Sequence, residues 1–271
     1  MRKKLLANNN LLRSVFLPIL RSFNFEFCLK HDVTKRKFYL LSFLHKGYWY
    51  YGSKREENEL KRFNELINRG DTVLEIGAHI GYVTQIFEEL VGKTGKILVA
   101  EPTEFSRRFL SKNIRSDTKI LPIAVSNTIG QMDFYTEQFG GFTNSLVREF
   151  TAKKNKSLSD SYHVQSRRIT KKKVDVSTID AICAENCISP HFIKVDVEGA
   201  ELNVLEGAAE TLKNVQALMV EVNENHEEVY KLLLDSNFNA FLSNGDAIIN
   251  NFPGGNIFFV KNNMTNLIMN D

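Results

Sequence analysis

The chain has 271 residues, 43% of them hydrophobic and 25% charged, with a formal net charge of +3. These values exclude a collagen-like, membrane-embedded or wholly disordered chain and leave room for one large α/β domain or two small ones. Cys28, Cys183 and Cys187 are too few for a disulfide framework, and no nearby cysteine or histidine set completes a zinc site, so they read as reduced thiols and no metal is expected.

The start, MRKKLLANNNLLRSVFLPILRSF, is basic like a secretory leader, but Arg13 and Arg21 bracket an apolar run too short for one and far too short to span a bilayer. A cytoplasmic protein is expected. The same segment suits either a helix packed on the domain or peripheral contact with an anionic membrane surface. From Lys54, a helical spacing places Leu60, Phe63, Leu66 and Ile67 on one face, and Gly70 stops it. Strand and helix then alternate: DTVLEIG as a strand, YVTQIFEELVG as a helix closed by Gly92, KILVAEP as a strand stopped by Pro102, EFSRRFLSKNI as a helix and KILPIAV as a third strand.

Asn127 to Lys173 is irregular and polar, with GQMDFYT and VQSRRIT as short strands at most. Arg148 to Lys173 carries nine Lys or Arg against two acids, Glu149 and Asp160, so the modest net charge hides a basic patch. A solvated loop explains such a patch, and so does an anionic acceptor. HFIKVDVEG then reads as a fourth buried strand, AELNVLEGAAETLKN as a helix with Leu202, Leu205 and Leu212 on one side, and ALMVEV as a fifth strand. NHEEVYKLLLDSN is a helix, and FNAFLS with NIFFVK closes the chain as an antiparallel pair. This order implies a mainly parallel sheet with helices on both faces, and a ligand at the carboxyl ends of its strands.

In LEIGAHIGYVT, Gly77 lets the chain turn sharply out of the first parallel strand, and Gly81 lets the next helix approach closely. Glu75 stands at the mouth of that turn. A dinucleotide would bring its pyrophosphate there, and a carboxylate would repel it. S-adenosylmethionine has no phosphate and carries an ammonium and a sulfonium, so Glu75 favours that cofactor. Glu101 ends the next strand, where a βαβ unit brings an acid to ribose hydroxyls, and Pro102 fixes the strand's exit.

DTVLEIGAHIGYVT, VAEP, FIKVDVEGAELNVLEGA and LMVEV together resemble the FkbM-type methyltransferases, from about Gly52 to Val260. The segment KVDVEGAE is far more specific than a glycine turn alone. The resemblance implies a class I methyltransferase (Rossmann-like) three-layer α/β sandwich, with a mainly parallel seven-stranded sheet and an antiparallel closing strand. It also implies S-adenosylmethionine held by Glu75, Gly77, Ala78, His79 and Gly81, with Glu101 and Pro102 at its ribose. His79 departs from the family, which usually has Asn there; both types tolerate a left-handed backbone. The domain reading is an N-terminal helical or entry segment over 1–51, a methyltransferase domain over 52–262 with a basic insertion at about 128–173, and a C-terminal tail over 263–271.

Methyl transfer from a sulfonium gains mostly from holding the acceptor in line, and a hydroxyl acceptor must also lose its proton to a nearby base. Asp196 and Glu198 follow the fourth strand and Glu221 ends the fifth, so these three are expected to position and deprotonate the acceptor. Lys194 reads as a paired lysine beneath the site, and Glu201 as a residue of the helix start. Asn144 and Ser145 in GGFTNSL are weaker candidates for contact with acceptor or adenine. The chain reads DVEG where methylases of exocyclic base nitrogens carry Asn/Asp-Pro-Pro-Tyr/Phe, which argues against nucleic acid as partner. A sugar hydroxyl of a polysaccharide or glycoconjugate is the expected acceptor, a small-molecule natural product the nearest alternative, and a non-catalytic S-adenosylmethionine-binding protein a third. A nicotinamide-dependent oxidoreductase is opposed by Glu75 and by the lack of an evident Tyr-x-x-x-Lys or histidine arrangement.

Overall fold

The computed structural model describes residues 22–137, 143–162, 168–249 and 251–268, apart from the side chains of 53, 55 and 158–162. Most of the basic N-terminal stretch, read as either a helix packed on the domain or a peripheral membrane contact, and most of VQSRRIT lie outside the described residues. Among the described residues no helix is long and apolar enough to cross a membrane.

A parallel sheet forms the centre because each of its strands is apolar on both sides. Strand β3 (Thr72–Ile76) is buried at every position, and β4 (Lys96–Ala100), β9 (Phe192–Val195) and β10 (Ala217–Val222) are nearly so. With β5 (Lys119–Leu121), β11 (Phe238–Leu242), β12 (Ala247–Ile248) and β13 (Gly255–Lys261) they make one eight-stranded sheet ordered β12-β11-β13-β10-β9-β3-β4-β5. Strands β10, β9, β3, β4 and β5 run parallel, while β13 pairs antiparallel with both β10 and β11. The expected seven-stranded class I arrangement is thus present, with the two-residue β12 added at the edge where the turn at Gly245 folds the chain back on β11.

Helices α2 (Glu57–Leu66), α3 (Tyr82–Val91) and α4 (Glu104–Asn113) cover one face, where Phe63, Phe87, Val91 and Leu110 meet Val73, Val99, Phe192 and Phe258. Helices α6 (Ile179–Glu185), α7 (Glu201–Glu206), α8 (Thr211–Asn214) and α9 (His226–Asp235) cover the other, where Ile182, Val204, Leu212 and Leu233 meet Leu74, Ile193 and Val220. Period-2 alternation along β3 therefore sends Leu74 and Ile76 to one layer and Val73 and Glu75 to the other.

Several elements differ from the sequence reading. Residues 22–51 are not helical throughout: a hairpin of β1 (Glu26–Lys30) and β2 (Lys37–Leu41) precedes the short helix α1 (Lys46–Tyr51). KILPIAV is two strands, because Pro122 offers no N–H to continue the ladder: β5 stays in the main sheet and β6 (Ala124–Val125) joins a second one. That second sheet is completed by β7 (Gly130–Thr136) and β8 (Thr170–Ser177), and the stretch read as irregular also contains helix α5 (Arg148–Tyr162). The single helix expected after Gly199 is broken into α7 and α8 at Gly207, where a Cβ would overlap the Ser126 carbonyl oxygen. Cys187 follows α6 in a left-handed turn, and both it and Cys183 are free thiols.

Both ends of the described region are docked. The hairpin packs Phe38 and Leu40 against Tyr82, Ile86 and Phe109. His31 Nε2 donates to the Tyr82 carbonyl (3.0 Å) and its Nδ1 accepts from the backbone of Val33 and Thr34, while burial pushes the imidazole down to about 4 and keeps it neutral. Arg36 pairs with the buried Glu88, and Asn113 exchanges hydrogen bonds with the Tyr39 backbone. At the other end, Ile268 is buried and its carbonyl accepts from the buried Arg62 guanidinium (3.0 Å).

Candidate active site

The sheet's order reverses between β3 and β9, and a cavity of about 210 Å³ opens there along the carboxyl ends of β3, β4, β9 and β10. Its floor is the glycine turn after β3. Gly77 has φ +85°, and a Cβ there would overlap the Asp196 carbonyl oxygen, so only glycine lets the turn lie against the next strand. Gly77 N–H bonds the Ala100 carbonyl (2.9 Å), tying the turn to β4 on its other side. Ala78 and His79 continue the wall, His79 with φ +50°.

Glu101 stands opposite. One carboxylate oxygen accepts from the Thr103 N–H (2.8 Å) and hydroxyl, and the other accepts from the His79 N–H (3.0 Å). Burial pushes this carboxyl up, against the pull of those three donors. Pro102 lines the cleft beside it. Glu75 is 1% exposed and accepts from the Thr84 hydroxyl (2.6 Å), and burial raises it to about 7 despite Lys194 at 4.0 Å. Gly81 is not among the residues that line the cleft. It starts α3 with φ +85°, and its missing side chain leaves room for Leu110 and Ile114, so it serves helix packing behind the turn.

At the far end three carboxylates converge. Asp196, Glu198 and Glu221 each bring an oxygen within 4.8 Å of the other two, a spacing that also suits a hard cation. Asp196 accepts from the buried Lys194 ammonium (2.8 Å) and shares a hydrogen bond with Glu221. The Asp196 charge, then burial, pushes Glu221 up to about 10. Burial and the same charge raise Glu198 to about 8, while Lys154 on α5 pulls it back. Glu198 itself sits in the left-handed region at φ +59°. Glu201 turns away from the cavity: it is buried, accepts from the Gly199 N–H (2.8 Å) and is raised by burial to about 7.

The basic insertion frames this end. Phe150 of α5 packs on Gly199, where a Cβ would strike its ring, and Lys153 reaches Glu224 (3.3 Å). Ser145 is buried and donates to the Glu198 carbonyl (2.7 Å), so it braces the acid loop, whereas Asn144 lines the cleft. Lys171 and Lys173 both pair with Asp133 across the small sheet, which neutralises part of the patch. Sequence reasoning missed Tyr48, Glu56 and Asn256, which line the cleft from outside the strand-end motifs. Only the aromatic run GYWYYG could have drawn attention to Tyr48.

The lining carries six carboxyls, from Glu56, Glu75, Glu101, Asp196, Glu198 and Glu221, against one ammonium, from Lys194. Such a donor set fits a ligand with an ammonium and a sulfonium and opposes a pyrophosphate. It also makes stability depend on pH. Glu75, Glu198, Glu201 and Glu221 hold protons in the folded chain that they lose near pH 4.5 when unfolded, so their contribution is complete below that pH and is lost as pH rises through about 7 to 10. The urea midpoint of the ligand-free protein is therefore expected to fall more steeply between pH 5.5 and 8.5 than that of Glu221→Gln. Equal slopes would show that the cluster does not store protons.

Among solved structures, the chain is similar to Aeropyrum pernix fibrillarin in complex with S-adenosyl-L-methionine (15% identity, 75% of this chain and 73% of that one, TM-score 0.37). It is also similar to a precorrin-6y C5,15-methyltransferase of Geobacter metallireducens (10%, 76% and 88%, 0.37) and to a SAM-dependent methyltransferase of Aquifex aeolicus (12%, 77% and 90%, 0.35). No curated protein matches. The methyltransferase FkbM domain matches residues 75–246, a stretch that includes the glycine turn, Glu101 and the three converging acids and exceeds half of the sequence. The chain belongs to the FkbM methyltransferase family.

Proposed function

We propose that this S-adenosylmethionine-dependent methyltransferase is an O-methyltransferase acting on a sugar hydroxyl of a polysaccharide or glycoconjugate. The observation that carries the O-methyl reading is the convergence of Asp196, Glu198 and Glu221 at the end of the donor cleft. When bound, S-adenosylmethionine supplies a methyl group on a positively charged sulfur. Glu75, Gly77, Ala78 and His79 would hold its amino-acid end, and Glu101 with Pro102 its ribose.

The acids divide the remaining work by their environments. Asp196, ion-paired with Lys194, stays charged and accepts a hydrogen bond from the acceptor hydroxyl. Glu198, raised to about 8, exchanges its proton near neutral pH, which is where a general base is most effective. Glu221 keeps its proton and donates it in a hydrogen bond to Asp196, holding that carboxylate in place. Bond formation at the hydroxyl oxygen releases its proton to Glu198. The acidic cleft directs any anionic part of the acceptor outward, toward Lys153 and Lys154 of α5. Residues 52–262 are read as the methyltransferase domain, with 128–173 as its acceptor-side insertion.

Titration of the purified protein in a calorimeter is expected to show binding of S-adenosylmethionine and S-adenosylhomocysteine and none of NADH. Methyl transfer from labelled donor to glycans and sugar conjugates, with the product cleaved to locate the label on oxygen, tests the acceptor. Label on nitrogen or carbon would refute the O-methyl reading.

A further inference from the structure

Helix α1 lies before residue 75, where the family match begins, yet it supplies part of the cleft wall. Its Tyr48 hydroxyl is hydrogen-bonded to His79 Nδ1 (3.1 Å), and the two rings lie nearly parallel, 25° apart, with centroids 6.2 Å apart. On its other sides the Tyr48 ring meets Tyr82 at 5.0 Å and the edge of Phe38 at 5.9 Å, so its position is set by the hairpin and by α3. Trp49 anchors the same helix through its indole N–H to the Ser42 carbonyl (2.8 Å), and His45 accepts the Leu41 N–H (3.0 Å) where the hairpin ends. His79 in turn carries the left-handed turn residue's N–H that bonds Glu101.

These contacts form a chain from α1 through the His79 ring and backbone to the carboxylate read as the ribose ligand. We propose that Tyr48 is a donor-positioning residue: it holds the His79 ring in the cleft wall and so fixes the Glu101 carboxylate toward the adenosine end of S-adenosylmethionine. Residues 22–51 are then a working part of the donor site rather than an appendage to the methyltransferase domain. The physical advantage is rigidity. His79 occupies the left-handed backbone region, and a ring hydrogen-bonded at Nδ1 and flanked by a nearly parallel tyrosine ring pre-organises the turn before the ligand arrives. The inference rests on the donor reading given above.

The test is calorimetric titration of the full chain with S-adenosylhomocysteine. Tyr48→Phe keeps the ring packing and removes only the hydroxyl, so its urea midpoint should fall only slightly while its dissociation constant rises roughly three- to tenfold, as for one neutral hydrogen bond. In a His79→Ala background the same change should do nothing further, because the tyrosine acts through that ring. Wild-type affinity in Tyr48→Phe, or an equal loss in both backgrounds, would overturn the inference. A wild-type protein that does not bind S-adenosylhomocysteine would instead defeat the donor reading, and the inference with it.

Discussion

Glu198→Gln is expected to lower turnover by roughly a hundred- to ten-thousand-fold, the range for loss of a general base, and to abolish the rising limb of the pH–rate profile near pH 8. The amide keeps the shape of the side chain but cannot take the hydroxyl proton. Donor affinity should change little, because Glu198 sits past β9, at the end of the cleft proposed for the acceptor, and not in the turn after β3. Asp196→Asn separates the roles further. It removes the charge that chiefly raises Glu221 and takes from the buried Lys194 its nearest charge partner, leaving Glu75 at 4.0 Å. Turnover should fall here too, with the pH limb kept but displaced downward, since Asp196 also helps to raise Glu198. Loss of donor binding in both variants would recast the acids as cofactor ligands. A wild type that stops turning over in chelator and recovers with a divalent cation would make the three oxygens metal ligands instead.

Glu101→Ala is expected to weaken binding of S-adenosylhomocysteine by roughly a hundred- to ten-thousand-fold, from two charge-assisted hydrogen bonds of about 1.5 to 3 kcal/mol each. The same carboxylate satisfies the His79 N–H and both donors of Thr103, so alanine strands three polar groups at the cleft wall and should also lower the urea midpoint. Glu101→Gln is the milder change, because it retains an acceptor for Thr103 while it loses the charge and puts an amide NH2 in place of the oxygen that accepts the His79 N–H. Affinity that falls in alanine but is normal in glutamine would mean that Glu101 acts through the turn and not on the ligand. Unchanged affinity in both would remove it from the site.

The order of strands and helices was legible because parallel strands buried on both faces read as short apolar runs, and glycine or proline punctuates each. Pro102 stands just past β4, and Gly70 and Gly92 close the helical segments that precede β3 and β4. Three parts of the reading erred for reasons of tertiary context. Helix α5 shows too weak an apolar stripe to be seen in sequence, since of its buried described side chains, Phe150, Thr151 and Asn155, only the first is apolar. The break at Gly207 comes from the approach of Ser126, 81 positions earlier in the numbering, which no local pattern encodes. The hairpin before α1 depends on partners in α3 and α4.

The sequence by itself determined the class of the molecule: a glycine turn after an apolar strand, an acid at its mouth, another at the end of the next strand and a third set in VDVEG specify a cofactor-binding α/β fold, because local backbone and charge requirements are written into neighbouring residues. Which acids meet was decided only by tertiary structure. Glu221 lies 23 positions after Glu198, and the parallel pairing of β9 with β10 is what brings them together beside Asp196. The same folding raised their proton affinities, moved Gly81 behind the wall and brought Tyr48 into it, since burial and long-range contact depend on how separate elements pack and not on the order in which they are written.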